Sequence, residues 1–256
     1  MIRAVFFDVD CTLYSHTLNE IPDSSAAALK KLREKGILIF LATGRHMLEI
    51  EQIDKKGIIF DGYITLSGQL CLNRDQQVVY QRALSGRDVS YLQSVFEQRR
   101  IPLVFVEEHE MYMNVYNEQV KSVHEMLHLQ LPKIKPVSGN TIYQATLFDD
   151  REKVMEVASH LLDSKCTGWN SFGADIIPCT GGKAEGIRAM MREYGFEQDE
   201  TMAFGDGEND IDMLSFAHIS VAMGNGNEHL KQIADHVTDG VDDDGICKAL
   251  RHYRLI

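Results

Sequence analysis

Short apolar runs of strand length alternate with helix-forming segments in the first part of the chain. Residues 2–9 and 37–42 are nearly continuous apolar runs, which is typical of strands buried on both faces of a parallel sheet. Residues 22–35 between them predict a helix, because a Pro-Asp-Ser start leads into good helix formers. A weaker helical pattern follows over 45–56, and a third strand candidate over 58–66. This alternation predicts a parallel sheet wound by helices.

The pattern changes after the third strand candidate and returns near residue 183. Residues 69–80 predict a hairpin, and the stretch after it predicts helices over 85–99, 117–129 and 152–162 and strands over 103–106, 111–115 and 141–148. The last part predicts helices over 183–194, 209–216, 227–234 and 244–252 and strands over 201–205 and 218–222. We therefore predict an α/β protein with a doubly wound, Rossmann-like parallel-sheet core formed by residues 1–81 and 182–256. An inserted α+β cap of residues 82–181 interrupts this core.

Composition narrows the classes of partner. The chain has 256 residues, of which 44% are hydrophobic and 25% charged, as in an ordinary globular protein. A net charge of −12 argues against nucleic acid or an anionic membrane as partner, because both require a basic surface. The apolar runs are too short to span a bilayer. Five scattered cysteines without CxxC spacing favour a reduced, cytoplasmic setting.

Acidic residues follow two of the predicted core strands. Asp8 and Asp10 come directly after the first strand, in Phe-Phe-Asp-Val-Asp-Cys-Thr-Leu. Asp206, Asn209 and Asp210 lie in Gly-Asp-Gly-Glu-Asn-Asp, between the 201–205 strand and the following helix. Ligands of open α/β sheets bind at the carboxyl ends of the strands, and oxygen-rich sites suit Mg²⁺. Taken singly, each group also fits a turn or a helix cap.

Two further segments could bind an oxyanion at the same edge. Thr43, Gly44 and Arg45 follow the second strand and offer a hydroxyl, a backbone amide and a guanidinium. Lys183 follows Thr-Gly-Gly at the start of a helix, without the spacing of a P-loop. A helix cap or an exposed lysine explains each segment taken alone. Four such segments, all placed at the ends of core strands or the starts of core helices, favour one shared site.

The set of motifs resembles the haloacid dehalogenase superfamily, in particular its Cof-type class IIB sugar-phosphate phosphatases. That family has DxDx[TV], a Thr or Ser after the second strand, a Lys and an acidic loop, and all four occur here in order. The position of the insertion and the tail motif Val-Ala-Met-Gly-Asn-Gly at 221–226 are also similar. The resemblance covers essentially the whole chain. It implies a phosphoric monoester hydrolase that acts on small phosphate monoesters, especially sugar phosphates, with Mg²⁺ as cofactor.

The resemblance also implies roles for individual residues. Asp8 corresponds to the nucleophile that forms an aspartyl phosphate, and Asp10 to the general acid and base. Asp8, Asp10 (through its backbone carbonyl) and Asp206 would hold the metal ion, supported by Asp210. The phosphoryl group would be bound by the remaining motif residues, which are Thr43, Gly44, Arg45, Lys183 and Asn209.

Three positions depart from the family pattern. Cys11 stands where the family usually has Gly, so we expect a backbone angle there that favours glycine. Ser67 replaces a usual Asn, and His46 replaces a common Pro. We expect cysteine to tolerate the angle at position 11, where activity is at stake, whereas Ser67 and His46 bear on fine specificity and not on the reaction. In the cap, Glu107, Glu108, His109 and Tyr112 are expected on a turn, where they face either the leaving group or, as we expect, solvent.

Two other functional classes compete with the phosphatase interpretation. Residues 124–128, His-Glu-Met-Leu-His, are a literal HExxH zinc-peptidase signature, with Glu152 or Glu156 as candidates for a third ligand. We expect that helix to turn its apolar side inward and to keep both histidines partly exposed. A receiver-like module phosphorylated on Asp would also use acids, Mg²⁺, Thr and Lys. Receivers are shorter, however, and their acceptor Asp lies on a later strand than the acidic pair.

Overall fold

The structure is a computed structural model that describes residues 1–168 and 173–256. It divides into two compact units, one formed by Met1–Tyr80 with Gly182–Ile256 and the other by Gln81–Gly181. Within the described ranges, no helix is both long enough and apolar enough to cross a membrane.

The helices and strands follow one another in three stretches of the chain. The first stretch contains β1 (Ala4–Phe7), α1 (Asp23–Glu34), β2 (Leu38–Ala42), α2 (Met47–Ile50), β3 (Gly62–Thr65), β4 (Leu70–Asn73) and β5 (Val78–Gln81). The second contains α3 (Gly86–Gln98), β6 (Leu103–Val106), β7 (Met111–Met113), α4 (Glu118–Met126), β8 (Lys133–Ile134), β9 (Gln144–Leu147), α5 (Arg151–Ala158), β10 (Ser164–Gly168) and β11 (Ala174–Pro178). The third contains α6 (Lys183–Tyr194), β12 (Thr201–Gly205), α7 (Ile211–Phe216), β13 (Ile219–Ala222), α8 (Glu228–Ile233), β14 (His236–Val237) and α9 (Gly245–His252).

The first unit is built on a sheet in the order β14-β13-β12-β1-β2-β3-β4-β5. From β14 to β3 all neighbours are parallel, whereas β3 and β4 pair antiparallel. The strand order reverses at β1, because the chain goes on to β2 on one side and reaches β12 on the other only after the insertion. Such a switch point is where open α/β sheets bind ligands. The predicted α/β fold with a parallel-sheet core is confirmed.

The central strands are buried on both faces, as their apolar sequences require. All four residues of β1 are buried, and on one face the Phe6 ring stacks on Phe40 of β2 at a centroid distance of 4.9 Å. On the other face, Phe7 stacks on Phe204 of β12 at 5.0 Å. Burying two aromatic side chains on each face contributes several kcal/mol, at roughly 1.5–3 kcal/mol for each large apolar side chain. This packing fixes the positions of the residues that follow the strands.

The second unit contains a sheet in the order β10-β11-β9-β6-β7-β8, in which β7 and β8 pair in parallel and the other pairs are antiparallel. Alternate residues of its strands pack in one hydrophobic cluster with α3 and α5, including Leu92, Phe105 and Val154. Asp88 of α3 is buried and accepts hydrogen bonds from the backbone of Leu162 and Asp163 and from the Ser164 hydroxyl, so it joins α3 to the start of β10.

Several elements differ in extent from the sequence prediction. The helical pattern of 45–56 is realised only over Met47–Ile50, and the strand candidate of 58–66 only over Gly62–Thr65. The strands β8 and β14 were not predicted, because two residues are too few to carry a periodic signal. Residues 169–172, inside the predicted cap, lie outside the described residues.

Candidate active site

Acidic residues lie where the central strands of the parallel sheet end. Phe7 is in register with Leu41 of β2 and with Phe204 of β12, so the three strands end side by side. Asp8 follows β1 directly, and its backbone N–H donates to the Phe204 carbonyl at 3.0 Å. Asp206 follows β12 directly. The register of the strands therefore places these two carboxylates at the same edge of the sheet.

Lys183 lies between two carboxylates of this edge. Its Nζ donates to Oδ1 of Asp8 and to Oδ1 of Asp210, each at 2.5 Å, and the lysine is completely buried. It is the first residue of α6, and Gly182 before it approaches Gly68 closely. A Cβ on Gly68 would lie 2.0 Å from the Gly182 carbonyl oxygen, and the φ of Gly68 is +91°. Only glycine at position 68 therefore lets the start of α6 come this close.

The acidic loop folds back on itself through Asp210. Its Oδ2 accepts hydrogen bonds from the backbone N–H groups of Asp206 and Gly207, each at 3.0 Å. Gly205 makes room for this carboxylate, since a Cβ there would lie 2.6 Å from the Asp210 side chain. One carboxylate oxygen of Asp210 thus holds the loop in its conformation, while the other binds Lys183. These contacts explain why the segment Gly-Asp-Gly-Glu-Asn-Asp begins with Gly205 and ends with Asp210.

Three carboxylates form a group that could hold a cation. Oxygen atoms of Asp8, Asp206 and Asp210 lie within 4.8 Å of one another. Among the described residues, these three form the one group of His, Cys, Asp or Glu side chains that is close enough together to hold a metal ion. Burial raises the pKa of Asp8 well above its usual range, and Asp210 and Asp206 raise it further while Lys183 opposes. Burial and Asp210 raise the pKa of Asp206 to about 7.

The charges of this group fit a divalent cation. Burial lowers the pKa of Lys183, but the charges of Asp210 and Asp8 outweigh that effect and hold the lysine protonated. If all three carboxylates were ionised, one ammonium would leave two excess negative charges in a buried place, and the raised pKa values of Asp8 and Asp206 are the consequence of that repulsion and of burial. Oxygen ligands and this excess of negative charge suit a hard divalent ion such as Mg²⁺. The residues present therefore fit a metal of this kind.

The side chain of Asp10 lies in an ion pair, apart from that group. Arg45 binds it at two points, with Nε 2.8 Å from Oδ2 and Nη2 2.5 Å from Oδ1. His16 Nε2 lies 2.7 Å from the same Oδ1. Burial opposes ionisation of Asp10, but the hydrogen bonds of His16 and Arg45 and the Arg45 charge hold its pKa well below the usual range. Asp10 and Arg45, which the sequence predicted as site residues, both lie at this edge of the sheet, but there they bind each other.

The remaining motif residues lie in the loops around this edge. Thr43 is buried after β2, and its hydroxyl oxygen accepts from the Arg45 backbone N–H at 3.1 Å, so its hydrogen can be donated to an anion. Gly44 lies in the bend that leads to α2. Asn209 is half-buried and lies over Gly207, where a Cβ would be 2.5 Å from its Oδ1.

Some supporting residues were not assigned a role from the sequence. Thr12 donates its hydroxyl hydrogen to Asp206 Oδ1 at 2.8 Å, and so ties the first motif to the fourth. Asn225 donates from Nδ2 to the Cys11 carbonyl at 2.8 Å. Asp212 accepts from the Ala184 backbone at the start of α6 at 3.1 Å. Thr12 belongs to the DxDx[TV] motif and Asn225 to the tail motif, so the sequence indicated both positions. Asp212 belongs to no motif, and nothing in the sequence indicated its role.

The three departures from the family pattern have distinct structural outcomes. Cys11 has a φ of +58°, in the left-handed region that favours glycine, as its position predicts. Ser67 also has a positive φ, +53°. His46 caps α2, because its Nδ1 accepts from Leu48 N at 3.1 Å and its own N–H donates to Glu49 at 2.8 Å. A histidine can therefore start this helix in place of proline.

The HExxH segment does not form a zinc-peptidase site. The helix α4 ends at Met126, and His128 lies beyond it with a φ of +53°, so the two histidines are not on one helical face. The expectation that both are partly exposed is wrong for His124, which is buried with its Nδ1 2.8 Å from the Val120 carbonyl oxygen. Glu125 is exposed.

The expectation of a solvated turn in the insertion is also wrong for two of its four residues. Tyr112 is completely buried in the hydrophobic cluster of the second unit. Glu107 is buried and accepts hydrogen bonds from Ser138 and Asn140. Glu108 is half-buried, and His109 is exposed. The sequence predicted a strand at the position of β7, but it did not show that Tyr112 of this strand faces the core. Glu107 follows β6, and its contacts with Ser138 and Asn140 could not be deduced from the local pattern.

The chain is similar to known proteins over nearly its whole length. A family profile described as haloacid dehalogenase-like hydrolase matches residues 5–250. YkrA of Bacillus subtilis, provisionally named as a phosphatase, is 32% identical over 259 residues, which cover 99% of this chain and 98% of YkrA.

Solved structures give the same result. BT4131, described as a HAD subclass IIB sugar phosphatase, is 35% identical with a TM-score of 0.91, and the match covers 99% of this chain and 100% of that one. A structure from work on a trigonal-bipyramidal intermediate in a phosphoryl-transfer superfamily is 35% identical with a TM-score of 0.94 and full coverage of both chains.

Proposed function

Because this chain belongs to the haloacid dehalogenase-like hydrolase family and is a phosphatase of that family, we propose that it hydrolyses small phosphate monoesters through an aspartyl phosphate on Asp8, with Mg²⁺ as cofactor. The observation that carries this proposal is the buried contact of Lys183 with Asp8 and Asp210, beside Asp206. It supports the proposal because one edge of the sheet then holds a carboxylate that could attack phosphorus, a cation that could bind the phosphoryl oxygens and oxygen atoms that could bind a metal ion.

The first step transfers the phosphoryl group to the protein. A carboxylate oxygen of Asp8 attacks phosphorus, and the bond between phosphorus and the ester oxygen breaks. Asp10 donates a proton to the departing alkoxide. Its low pKa in the free enzyme favours the ionised form, but a phosphate dianion beside it would raise that pKa by like-charge repulsion.

The second step regenerates the enzyme. Asp10, now ionised, accepts a proton from a water molecule that attacks phosphorus, and the bond between phosphorus and Asp8 breaks. Its contacts with Arg45 and His16 orient the carboxylate and favour this basic form. Inorganic phosphate then leaves. The geometry thus suits Asp10 best to the hydrolysis of the aspartyl phosphate.

The metal ion would be held by the carboxylates of Asp8 and Asp206 and by the backbone carbonyl of Asp10. When bound, Mg²⁺ supplies positive charge that offsets the repulsion between carboxylate and phosphate and stabilises the transition state. Asp210 keeps the loop folded and Lys183 in place. The phosphoryl oxygens would be bound by Thr43, the Gly44 amide, Lys183 and Asn209. Arg45 would bind them only after its contacts with Asp10 are broken.

We assign sugar phosphates as the substrate class, since BT4131 is described as a sugar phosphatase and is similar over 99% of this chain. The unit formed by residues 81–181 would select the leaving group. With a net charge of −12, the protein depends on local cations such as Lys183 to attract an anionic ester.

A phosphate-release screen tests this function. The full chain is incubated with a panel of sugar phosphates, other metabolite phosphomonoesters and p-nitrophenyl phosphate, with and without Mg²⁺. Asp8→Asn should lose all release, whereas Asp23→Asn, the same change at an exposed position of α1, should retain it. Absence of release from every ester in the presence of Mg²⁺, or equal release by Asp8→Asn, would refute the proposal. Release from p-nitrophenyl phosphate alone would refute only the assigned substrate class.

A further inference from the structure

The turn Leu66–Gly68, directly after β3, has an unusual backbone. Leu66, Ser67 and Gly68 all have positive φ angles, +51°, +53° and +91°. The left-handed region is unfavourable for residues with a Cβ, and consecutive residues of this kind persist only where the surroundings impose them. The neighbouring contacts show what imposes them here.

The turn is fixed between two segments that belong to the site. On one side, the backbone N–H of Ser67 donates to the Thr43 carbonyl at 2.9 Å, and that of Leu66 donates to the Arg45 carbonyl at 3.2 Å. On the other side, the α-carbon of Gly68 lies against the backbone of Gly182, which precedes Lys183. Ser67 is therefore held between the loop after β2 and the start of α6.

The hydroxyl of Ser67 has no hydrogen-bond partner among the described residues, although the side chain is only 3% exposed. A buried polar atom without a partner is costly, and such atoms in folded proteins call for a partner such as a ligand or a buried water. Gln69, two residues further along the chain, is buried too, and its Oε1 also has no hydrogen-bond partner among the described residues. A single buried water bridging the two oxygens is thus the rival explanation.

We propose that Ser67 is a further phosphoryl-binding residue, whose hydroxyl donates a hydrogen bond to an anionic oxygen of the bound substrate or of product phosphate. The proposal rests on the proposed function. Ligand binding explains why the strained turn is retained, because the backbone contacts with Thr43 and Gly182 hold the hydroxyl beside two segments to which phosphate binding is assigned. A water between Ser67 and Gln69 would account for the unpartnered atoms but not for their place between these segments.

The test uses inorganic phosphate as probe, with the full chain and Mg²⁺. Dissociation constants from calorimetry and kcat/KM for p-nitrophenyl phosphate are measured for wild type, Ser67→Ala and Ser67→Gly. Both variants lack the hydroxyl, but glycine also removes the backbone strain. We expect both to bind phosphate roughly 10-fold more weakly, on the scale of a lost hydrogen bond to a charged group, with a higher Tm for Ser67→Gly. Ser25→Ala removes a buried hydroxyl from α1 and should leave binding unchanged.

The outcomes separate the two proposals. Phosphate binding within twofold of wild type in Ser67→Ala, or equal weakening in Ser25→Ala, overturns the role of Ser67 while leaving the function intact. Weakening in Ser67→Ala but not in Ser67→Gly would show that binding does not need the hydroxyl, and this outcome also overturns the role of Ser67. A wild type that neither binds phosphate nor releases it from any ester overturns both. A crystal structure with phosphate should place an anion oxygen within about 3.2 Å of Ser67 Oγ, and a water bridging to Gln69 instead would contradict the assignment.

Discussion

Arg45 holds Asp10 by both carboxylate oxygens, with Nε 2.8 Å from Oδ2 and Nη2 2.5 Å from Oδ1. Two parallel contacts of this kind are among the stronger ion pairs in proteins, and they fix orientation as well as charge. The arginine that was expected to bind phosphate is therefore used, in the free enzyme, to hold the proposed acid and base in its ionised form.

Replacing Arg45 should change how activity depends on pH. Loss of the guanidinium raises the pKa of Asp10, because burial then acts with less opposition. The basic form of Asp10 is consequently lost at a higher pH as the solution is acidified. We expect the acid limb of the kcat profile to move upward in Arg45→Met, and less in Arg45→Lys, which keeps the charge but not the two-point contact. An unchanged acid limb in Arg45→Met would contradict this interpretation.

The same pair should contribute to stability with a defined sign. The pKa of Asp10 is lower in the folded than in the unfolded protein, so its stabilising effect is present above the unfolded value, about 4. It is lost as the pH falls from there through the folded pKa. Chemical denaturation should show that the wild type loses its stability advantage over Arg45→Met below about pH 4. A difference that is independent of pH would contradict the link.

Metal removal should abolish activity and reduce stability. Asp8, Asp206 and Asp210 repel one another in a buried place, and one lysine does not balance them. Excess EDTA should stop phosphate release, and Mg²⁺ should restore it and raise Tm. In Asp206→Asn, the rise in Tm with Mg²⁺ should be smaller. Full activity in excess EDTA would show that the carboxylates do not serve a metal.

Lys183→Ala should reduce kcat/KM by about 10²-fold or more, since a buried charge on the phosphoryl group acts in the transition state. It should also lower stability by about 3–5 kcal/mol, because Asp8 and Asp210 are left without their buried partner. Circular dichroism separates unfolding from loss of catalysis, and Lys31→Ala on the exposed side of α1 is the control. A decrease below threefold would leave Lys183 with a structural role alone.

Asn variants of Asp8 and Asp10 should fail at different steps. Asp8→Asn lacks the attacking oxygen and should form no phosphoenzyme. Asp10→Asn retains the nucleophile and loses proton transfer, which is worth roughly 10²- to 10⁴-fold. With p-nitrophenyl phosphate, whose leaving group needs little protonation, Asp10→Asn should release about one equivalent of nitrophenol and then turn over slowly. Mass spectrometry should find the phosphoryl group on the peptide of Asp8, and finding it on Asp10 would reverse the two roles.

Cys11→Gly should stabilise the protein by about 1 kcal/mol, because glycine adopts the positive φ at this position without steric cost. Cys11→Ala, which keeps a Cβ, should give no such gain.

Burial and the neighbouring acids raise the pKa of the Cys11 thiol to about 12, so its alkylation at pH 8 should be slow compared with that of exposed Cys179. Faster alkylation of Cys11 would contradict that environment.

The sequence predicted the core best where one physical rule dominated. Continuous apolar runs gave β1, β2 and β12 close to their observed places, since strands buried on both faces require them. Two-residue strands such as β14 were missed, because pairing with β13, rather than local pattern, decides their conformation. The residues of the candidate site were named from motifs that follow those strands.

Pairing between side chains could not be deduced in the same way. The contact of Arg45 with Asp10 joins residues 35 positions apart, and nothing in either motif indicates which of two anions, the carboxylate or a phosphate, the arginine binds. His124 was misplaced for a related reason. Its imidazole lies against the ring of Phe148, in another segment, and this contact buries a side that the helical pattern leaves polar.

The pairing of β1 with β12 also determines when the protein can first work during its synthesis. Ala4 lies opposite Thr201, and Lys183 binds Asp8 across 175 positions of sequence. A growing chain therefore displays Asp8 beside an open strand edge until residues 201–205 have been made. The unit of residues 81–181 is complete before β12 exists, so it can fold while the edge is still unpaired. Slow, long-range closure of this sheet is the step at which a nascent chain becomes an enzyme.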